Sequence, residues 1–296
     1  MTDETNNRLR HFAKNLSPTE KEKELISKVY DAIRDCLDEG KCLQIGSYPR
    51  YTSITPIHDL DILYNIGKWG AYDLTNANSV IHSVHSRLES GFRNPTNYSP
   101  RMSEQSHSVT ISFRNAIDEE CFSVDIVPAF EDGHNEFNLP MYRVPEIAHI
   151  KHSERAARSW NPLRQDSWIK SDPRGYIECA KRTNNANDDF RRTVKIVKFW
   201  KNTIRDSRPD IKLKSFHLEQ VILDFFRAKP TSLTISEALF QFLFNIPAII
   251  DRPQIKDRAR PDVYIDGYIS DLTSGQKGII IAVRDSFLKK LEDGFS

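Results

Sequence analysis

The sequence predicts an α/β fold: a small mixed sheet carrying acidic residues, helices behind it, and a helical part after it. Three observations predict this. Short runs such as Leu43–Ile45, Asp59–Tyr64, Ser108–Phe113 and Cys121–Phe130 are apolar-rich, several with apolar side chains at every second position, the period of a strand with one buried face. Longer stretches place apolar residues three and four apart, the period of amphipathic helices. Acidic residues interrupt the strand-like runs on one face only, so the sheet presents chemistry on that face and packs with the other.

The first helix is expected from Ser17-Pro18-Thr19-Glu20, a capping box of Ser17 and Glu20 with Pro18 at the first helical position. Ile26, Val29, Tyr30, Ile33 and Leu37 then share a face, and Gly40 ends the run before the strand at Leu43. That strand stops at Gly46-Ser47. Eleven residues later comes Asp59-Leu60-Asp61, followed by Ile62, Leu63 and Tyr64. On a strand Asp59 and Asp61 project together, their Cα atoms roughly 6–7 Å apart, while Leu60 and Ile62 pack behind. Two carboxylates about 4 Å apart would repel by roughly 4 kcal/mol at an effective dielectric near 20, so the pattern calls for a divalent cation. Gly46 lets backbone N–H groups approach a ligand, Ser47 adds a hydroxyl, and Arg50 adds a fork suited to phosphate. A lone Gly-Ser or a lone Asp-x-Asp carries little weight. The two in this order, around a basic loop and inside an apolar strand, are far more specific.

Val80, Ile81, Val84 and Leu88 mark a second helix, Gly91–Ser106 reads as a polar loop, and two strands follow as a hairpin or adjacent pair. In the second of these, Asp125 lies between Val124 and Ile126. A carboxylate there is costly unless it is paired or metal-bound, which leaves a metal ligand or a structural salt bridge. Residues 131–173, with prolines, many charges, Trp160 and Trp168, read as a crossing with short helical pieces. From Asp188 the pattern is helical. Phe190, Val194, Val197 and Ile204 form one stripe, and Arg191, Lys195, Lys198 and Asn202 form a row beside it that spacing alone assigns to a solvated face. Ser215 reads as the N-cap of a helix with Leu218, Val221, Ile222 and Phe225 inward. Thr234 and Glu237 make a second capping box, and a last helix is expected over Ile279–Leu291.

The bulk numbers bound the function. At 296 residues, 39% hydrophobic and 28% charged, the chain is an ordinary globular protein of one large or two modest domains. A net charge of +1 gives no global field for nucleic acid. Four cysteines without CxxC spacing read as free thiols in a reducing compartment. The amino terminus has no apolar signal segment and no run spans a bilayer, so a cytoplasmic location is expected. The pairs His82/His85 and His149/His152 are each three apart and either could hold a metal, but neither has a cysteine or acid at the usual zinc spacing, so both read as chance surface histidines.

The stretch GSYPRYTSITPIHDLDIL resembles the signature of the polymerase-β-like nucleotidyltransferases, and within them is most similar to the bacterial CD-NTases. That family reads Gly-Ser-aromatic-x-Arg-Gly-Thr before Asp-x-Asp, and here Tyr51 stands where glycine is usual. Val-Asp-Ile-Val-Pro-Ala matches the place of the third metal carboxylate, at Asp125. VKIVKFWK matches a motif whose lysine contacts the triphosphate, at Lys198. KSFHLE matches one whose serine does so, at Ser215, with Phe216 placed to stack on a base. The base-side motif before the last helix has no good counterpart. The resemblance implies a nucleotidyltransferase core with a spine helix over residues 1–158 and a helical lobe over 159–296, closing a bilobed nucleotide cleft. It implies two Mg²⁺ ions, or Mn²⁺, on Asp59, Asp61 and Asp125, with Gly46, Ser47, Arg50, Lys198 and Ser215 on the donor nucleotide. The expected activity is synthesis of a cyclic or short linear oligonucleotide messenger from NTPs, acting on a downstream effector in CBASS anti-phage defence, with no membrane and no strong nucleic-acid partner. Two alternatives stand beside it: an enzyme that modifies tRNA or protein with a nucleotide, and a silent NTP- or nucleic-acid-binding module.

Overall fold

Thr19 caps the helix that the sheet is built on. Its Oγ1 accepts the Glu22 N–H at 3.3 Å while Glu22 Oε2 accepts the Thr19 N–H at 2.7 Å. The helix therefore starts at Glu20, two residues later than the Ser17 box predicts. Two Ser/Thr-x-x-Glu boxes overlap here, and the second prevails because Glu22 also makes a contact outside the helix. Its Oε1 accepts the Ile57 N–H at 2.9 Å, tying down the chain just before Asp59. In this computed structural model residues 3–70, 76–147 and 167–292 are described. The His149/His152 pair, Trp160 and the 158/159 boundary lie outside them.

The chain divides into two compact units. The sheet unit comprises Pro18–Arg50 and Pro56–Ile177. It holds α2 (Glu20–Leu37), β1 (Cys42–Ile45), β2 (Asp59–Lys68), α3 (Ala77–Gly91), β3 (Ser99–Glu104), β4 (Val109–Arg114), β5 (Glu120–His134), β6 (Pro140–Glu146) and β7 (Ser167–Ser171). The strands run in the order β1-β2-β5-β4-β3, with β6 joining β5 to β7. Only β2 and β5 are parallel, so the sheet is mixed, as predicted.

One face of that sheet is apolar. Leu60, Ile62, Val109, Ile111, Phe113, Val124 and Ile126 pack against Ile26, Val29, Ile33 and Leu37 of α2 and Ile81, Val84 and Leu88 of α3. Each such side chain contributes about 1.5–3 kcal/mol by leaving water, and this anchors the register that orients the opposite face. There, Asp59 and Asp61 give way to Leu63, which packs with Ala129, Tyr142 and Val144.

Two stretches differ from expectation. The polar loop over 91–106 contains β3, an edge strand of the sheet, whose residues are exposed or half-buried. An edge strand with Pro100 and an exposed face needs no apolar alternation, so the signal is silent. At the two ends of the 131–173 crossing the described residues form the end of β5, β6 and β7, while the short helical pieces expected between them fall outside the described residues. Pro140 opens β6, where its missing N–H is harmless, and Tyr142 and Val144 alternate inward.

The helical unit comprises Met1–Ser17, Tyr51–Thr55 and Glu178–Ser296. Its helices are α1 (Asp3–Asn15), α5 (Asp189–Ser207), α6 (Ser215–Ala228), α7 (Ile235–Ile249) and α8 (Ser274–Glu292), while α4 (Pro173–Ala186) enters it from the sheet unit. The Thr234–Glu237 capping box forms as predicted, and α8 begins five residues before Ile279. The edge-on pairs Phe190–Phe226 (5.9 Å) and Trp200–Phe242 (5.5 Å) join α5 to α6 and α7. The helix α1, not anticipated from sequence, buries Leu9 and Ala13 and ties in through a two-pronged Arg10–Asp189 pair at 2.9 and 2.8 Å. No helix among the described residues is long and apolar enough to cross a membrane.

Candidate active site

The β1–β2 connection begins with a glycine that no other residue replaces. Gly46 has φ +72°, and a Cβ added there would lie 1.9 Å from Asp61 Oδ2. The cause is register: Ile45 pairs with Asp61, so the turn leaving β1 passes directly over that carboxylate. Ser47 follows in the turn, half-buried, and Arg50 is buried. Tyr51, at the usual glycine position, keeps the backbone a glycine would favour, with φ +60°. This conformation costs a non-glycine residue about 1–2 kcal/mol. The Arg191 guanidinium lies 4.8 Å from the centre of the Tyr51 ring, an attraction that offsets part of the cost.

Register also sets the three aspartates. Along parallel β2 and β5, Asp59 pairs with Ser123 and Asp61 with Asp125. Asp59, Asp61 and Asp125 therefore lie on one face of adjacent strands, with Leu60, Ile62, Val124 and Ile126 buried behind. Asp59 is exposed, the other two half-buried. Thr110, opposite Asp125 on β4, donates its hydroxyl to Asp125 Oδ1, and Ser108 lies 3.5 Å from the same oxygen. Burial pushes the Asp125 carboxyl above the ordinary range; these hydroxyls pull it back, and the Asp59 charge adds to the rise. Among the described residues no cationic side chain pairs with Asp125, so the buried salt bridge left open by the sequence is not what the structure presents. The donor set fits a hard divalent cation: oxygen ligands only, on one face, with a glycine keeping the space over Asp61 clear.

The helical unit turns the basic row of α5 inward. Lys195 donates to Ser17 Oγ at 2.8 Å, Arg191 covers Tyr51, and Lys198 is buried, donating to Thr52 Oγ1 at 3.3 Å and lying 3.5 Å from Glu219 Oε2. Thr52 in turn donates to Glu219 Oε2 at 2.9 Å. The solvated-face reading of this row is therefore wrong. A row three and four apart looks alike whether it meets water or the Met1–Ser17 and Tyr51–Thr55 segments. Ser215 is the first helical residue and Lys214 stands at the cap, so Ser215 is not an N-cap. Its Oγ accepts from Lys201 Nζ at 3.2 Å, and Phe216 is half-buried. Sequence reasoning did not single out Thr52 or Glu219. The available signals were their places at the ends of the Arg-x-Thr and KSFHLE motifs, and an acid inside the apolar run HLEQVIL.

Comparison with known proteins fits this architecture. Residues 3–154 match the Second Messenger Oligonucleotide or Dinucleotide Synthetase domain. The chain is 28% identical over 181 residues to a cyclic AMP-AMP-AMP synthase from Escherichia coli (strain MS 115-1), covering 60% of this chain and 47% of that protein. It thus spans less than half of that relative's length. Among solved structures, E. coli MS115-1 CdnC with ATP is 18% identical with a TM-score of 0.66, covering 100% of this chain and 92% of that one. The Bradyrhizobium diazoefficiens CD-NTase CdnG in complex with GTP is 12% identical with a TM-score of 0.67, covering 96% and 90%. At these identities the structures speak for the fold. The domain match covers just over half of the chain, and the protein belongs to the Second Messenger Oligonucleotide or Dinucleotide Synthetase family, as a bacterial CD-NTase.

Proposed function

We propose that the chain is a Mg²⁺-dependent nucleotidyltransferase that joins NTPs into a cyclic or short linear oligonucleotide messenger for a downstream effector, in CBASS anti-phage defence. The observation that carries this reading is the pairing of Asp61 with Asp125 beneath Gly46, which sets three carboxylates on one face of the sheet. Asp59, Asp61 and Asp125 would hold two Mg²⁺ ions, or Mn²⁺. Bound there, the metal would neutralise triphosphate charge and acidify the attacking hydroxyl.

In the reaction a ribose hydroxyl attacks an α-phosphate. The new P–O bond replaces the bond to pyrophosphate, which leaves, and the hydroxyl proton passes to solvent or a carboxylate. Asp125, held by Thr110, orients the acceptor side. Gly46 and Ser47 offer backbone and hydroxyl donors to the donor phosphates, with Arg50 as a further charge. Lys198 and Ser215 are assigned to the same triphosphate and Phe216 to a base. In support, Glu219 and Thr52 fix the Lys198 ammonium in one position and Lys201 fixes the Ser215 hydroxyl. A preset donor loses less entropy on meeting phosphate than a free side chain.

The test is incubation with four labelled NTPs and Mg²⁺, followed by mass spectrometry of the products. Oligonucleotides released with pyrophosphate are expected. Nucleotide transferred only to tRNA or protein, or no metal-dependent turnover, would overturn the reading.

A further inference from the structure

Away from the aspartates, α3 and β3 bring three metal-ligating side chains together. His82 and His85, one turn apart on α3, each direct Nδ1 at the same atom, Glu104 Oε1, at 3.0 and 3.1 Å. The ligand atoms of these residues all lie within 4.8 Å of one another, the one such cluster of three or more among the described residues. The sequence showed no acid at zinc spacing because the acid comes from a strand that it did not reveal. We propose that His82, His85 and Glu104 bind a divalent transition-metal ion of the zinc class, at a site separate from the hard-cation site on the aspartates.

The donor set is the first argument. Two imidazoles and one carboxylate suit zinc-class ions and are poor partners for Mg²⁺. Bonds of 2.0–2.1 Å in tetrahedral geometry place neighbouring ligands about 3.3 Å apart, near the two separations seen.

The second argument is the proton on His85. Its Nε2 is buried and lies 3.5 Å from Glu89 Oε1, one turn further along α3. No hydrogen bond reaches this Nε2, and the negative charge of the nearby carboxylate favours an N–H there over a lone pair. Nδ1 then turns a lone pair toward Glu104, and two acceptors 3.1 Å apart repel unless a cation serves both. A second imidazole converging on the same oxygen sharpens the demand. The His82 side chain is 71% exposed, so water can complete the coordination.

The third argument is location. Glu104 ends the edge strand, and an ion would fasten that strand to α3 across the outer part of the sheet.

Titration of the full chain with Co²⁺ in excess Mg²⁺ tests the proposal, because imidazole-bound tetrahedral cobalt absorbs strongly in the visible while cobalt on carboxylates and water does not. One equivalent is expected to bind, and one equivalent of Zn²⁺ to displace it. His82→Gln, at an exposed position, and Glu104→Gln should each weaken binding at least tenfold while keeping the wild-type melting temperature in EDTA. Zn²⁺ should raise that temperature in the wild type and not in His82→Gln. Absence of a saturable tetrahedral spectrum, or wild-type affinity in both variants, would overturn it and leave protons shared between the histidines and Glu104.

Discussion

On the sheet, Asp59, Asp61 and Asp125 are like charges gathered on one face by backbone register. In the helical unit, Lys198 and Glu219 are opposite charges that satisfy each other in a buried pocket with Thr52. The first arrangement opposes folding: burial and the neighbouring charge both raise the Asp125 carboxyl. It persists because the apolar face behind it fixes the strands. The second supports the fold only while both members are present. Charge held by register is available to a ligand, whereas charge held by a partner is available to position something. Substitution should therefore separate the two regions, the sheet losing chemistry first and the helical unit losing stability first.

The largest stability effect is expected at Glu219. Glu219→Ala removes the acidic partner of the buried Lys198 ammonium and should cost about 3–5 kcal/mol, read by chemical denaturation. A cost below about 1 kcal/mol would mean that Lys198 does not depend on this partner. Gly46→Ala should cost about 1–2 kcal/mol for its backbone alone, and its Cβ should push Asp61 aside. Activity per folded molecule should fall far more than the melt, and equal losses would contradict the close approach.

The helical unit holds a further charge-sensitive group. His217 is buried, its Nδ1 3.0 Å from the Tyr268 hydroxyl and its Nε2 3.6 Å from Asp266. Asp266 already accepts the Gln254 and Ile255 N–H groups, and burial lowers the imidazole below its ordinary pKa. The unfolded chain then binds the extra proton. Stability should hold above about pH 6.5 and fall below it by up to about 1.4 kcal/mol per pH unit. Denaturation at pH 7.5 and 5.5 measures this, and His217→Gln should flatten the slope. The smallest effect is at Tyr51: Tyr51→Gly should be more stable than Tyr51→Ala by about 1 kcal/mol, since φ +60° suits glycine.

How much of this was legible in the sequence follows from the range of each interaction. Asp59, Asp61 and Asp125 could be read because a two-residue period and an apolar strand are local facts. That Asp61 faces Asp125 could not, since register is decided by the whole sheet. The edge strand carrying Glu104 has no apolar alternation, so its meeting with His82 and His85 stayed hidden. The helix α1 offers few buried apolar residues and is held through Asp189, far along the chain. The bond of Lys198 to Thr52 spans 146 residues, and no spacing rule reaches that far.

The most direct test of the central claim, that register alone presents the carboxylates for nucleotide transfer, is to measure product formation and thermal melting together for the Asp59→Asn/Asp61→Asn double variant. On the proposed assignment of the metal to these carboxylates, their loss should lower turnover on the order of 10³-fold or more. The melting temperature should stay equal to wild type or rise as repulsion is relieved. Wild-type-like product, or a collapse of the melt that accounts for the lost activity, would contradict it.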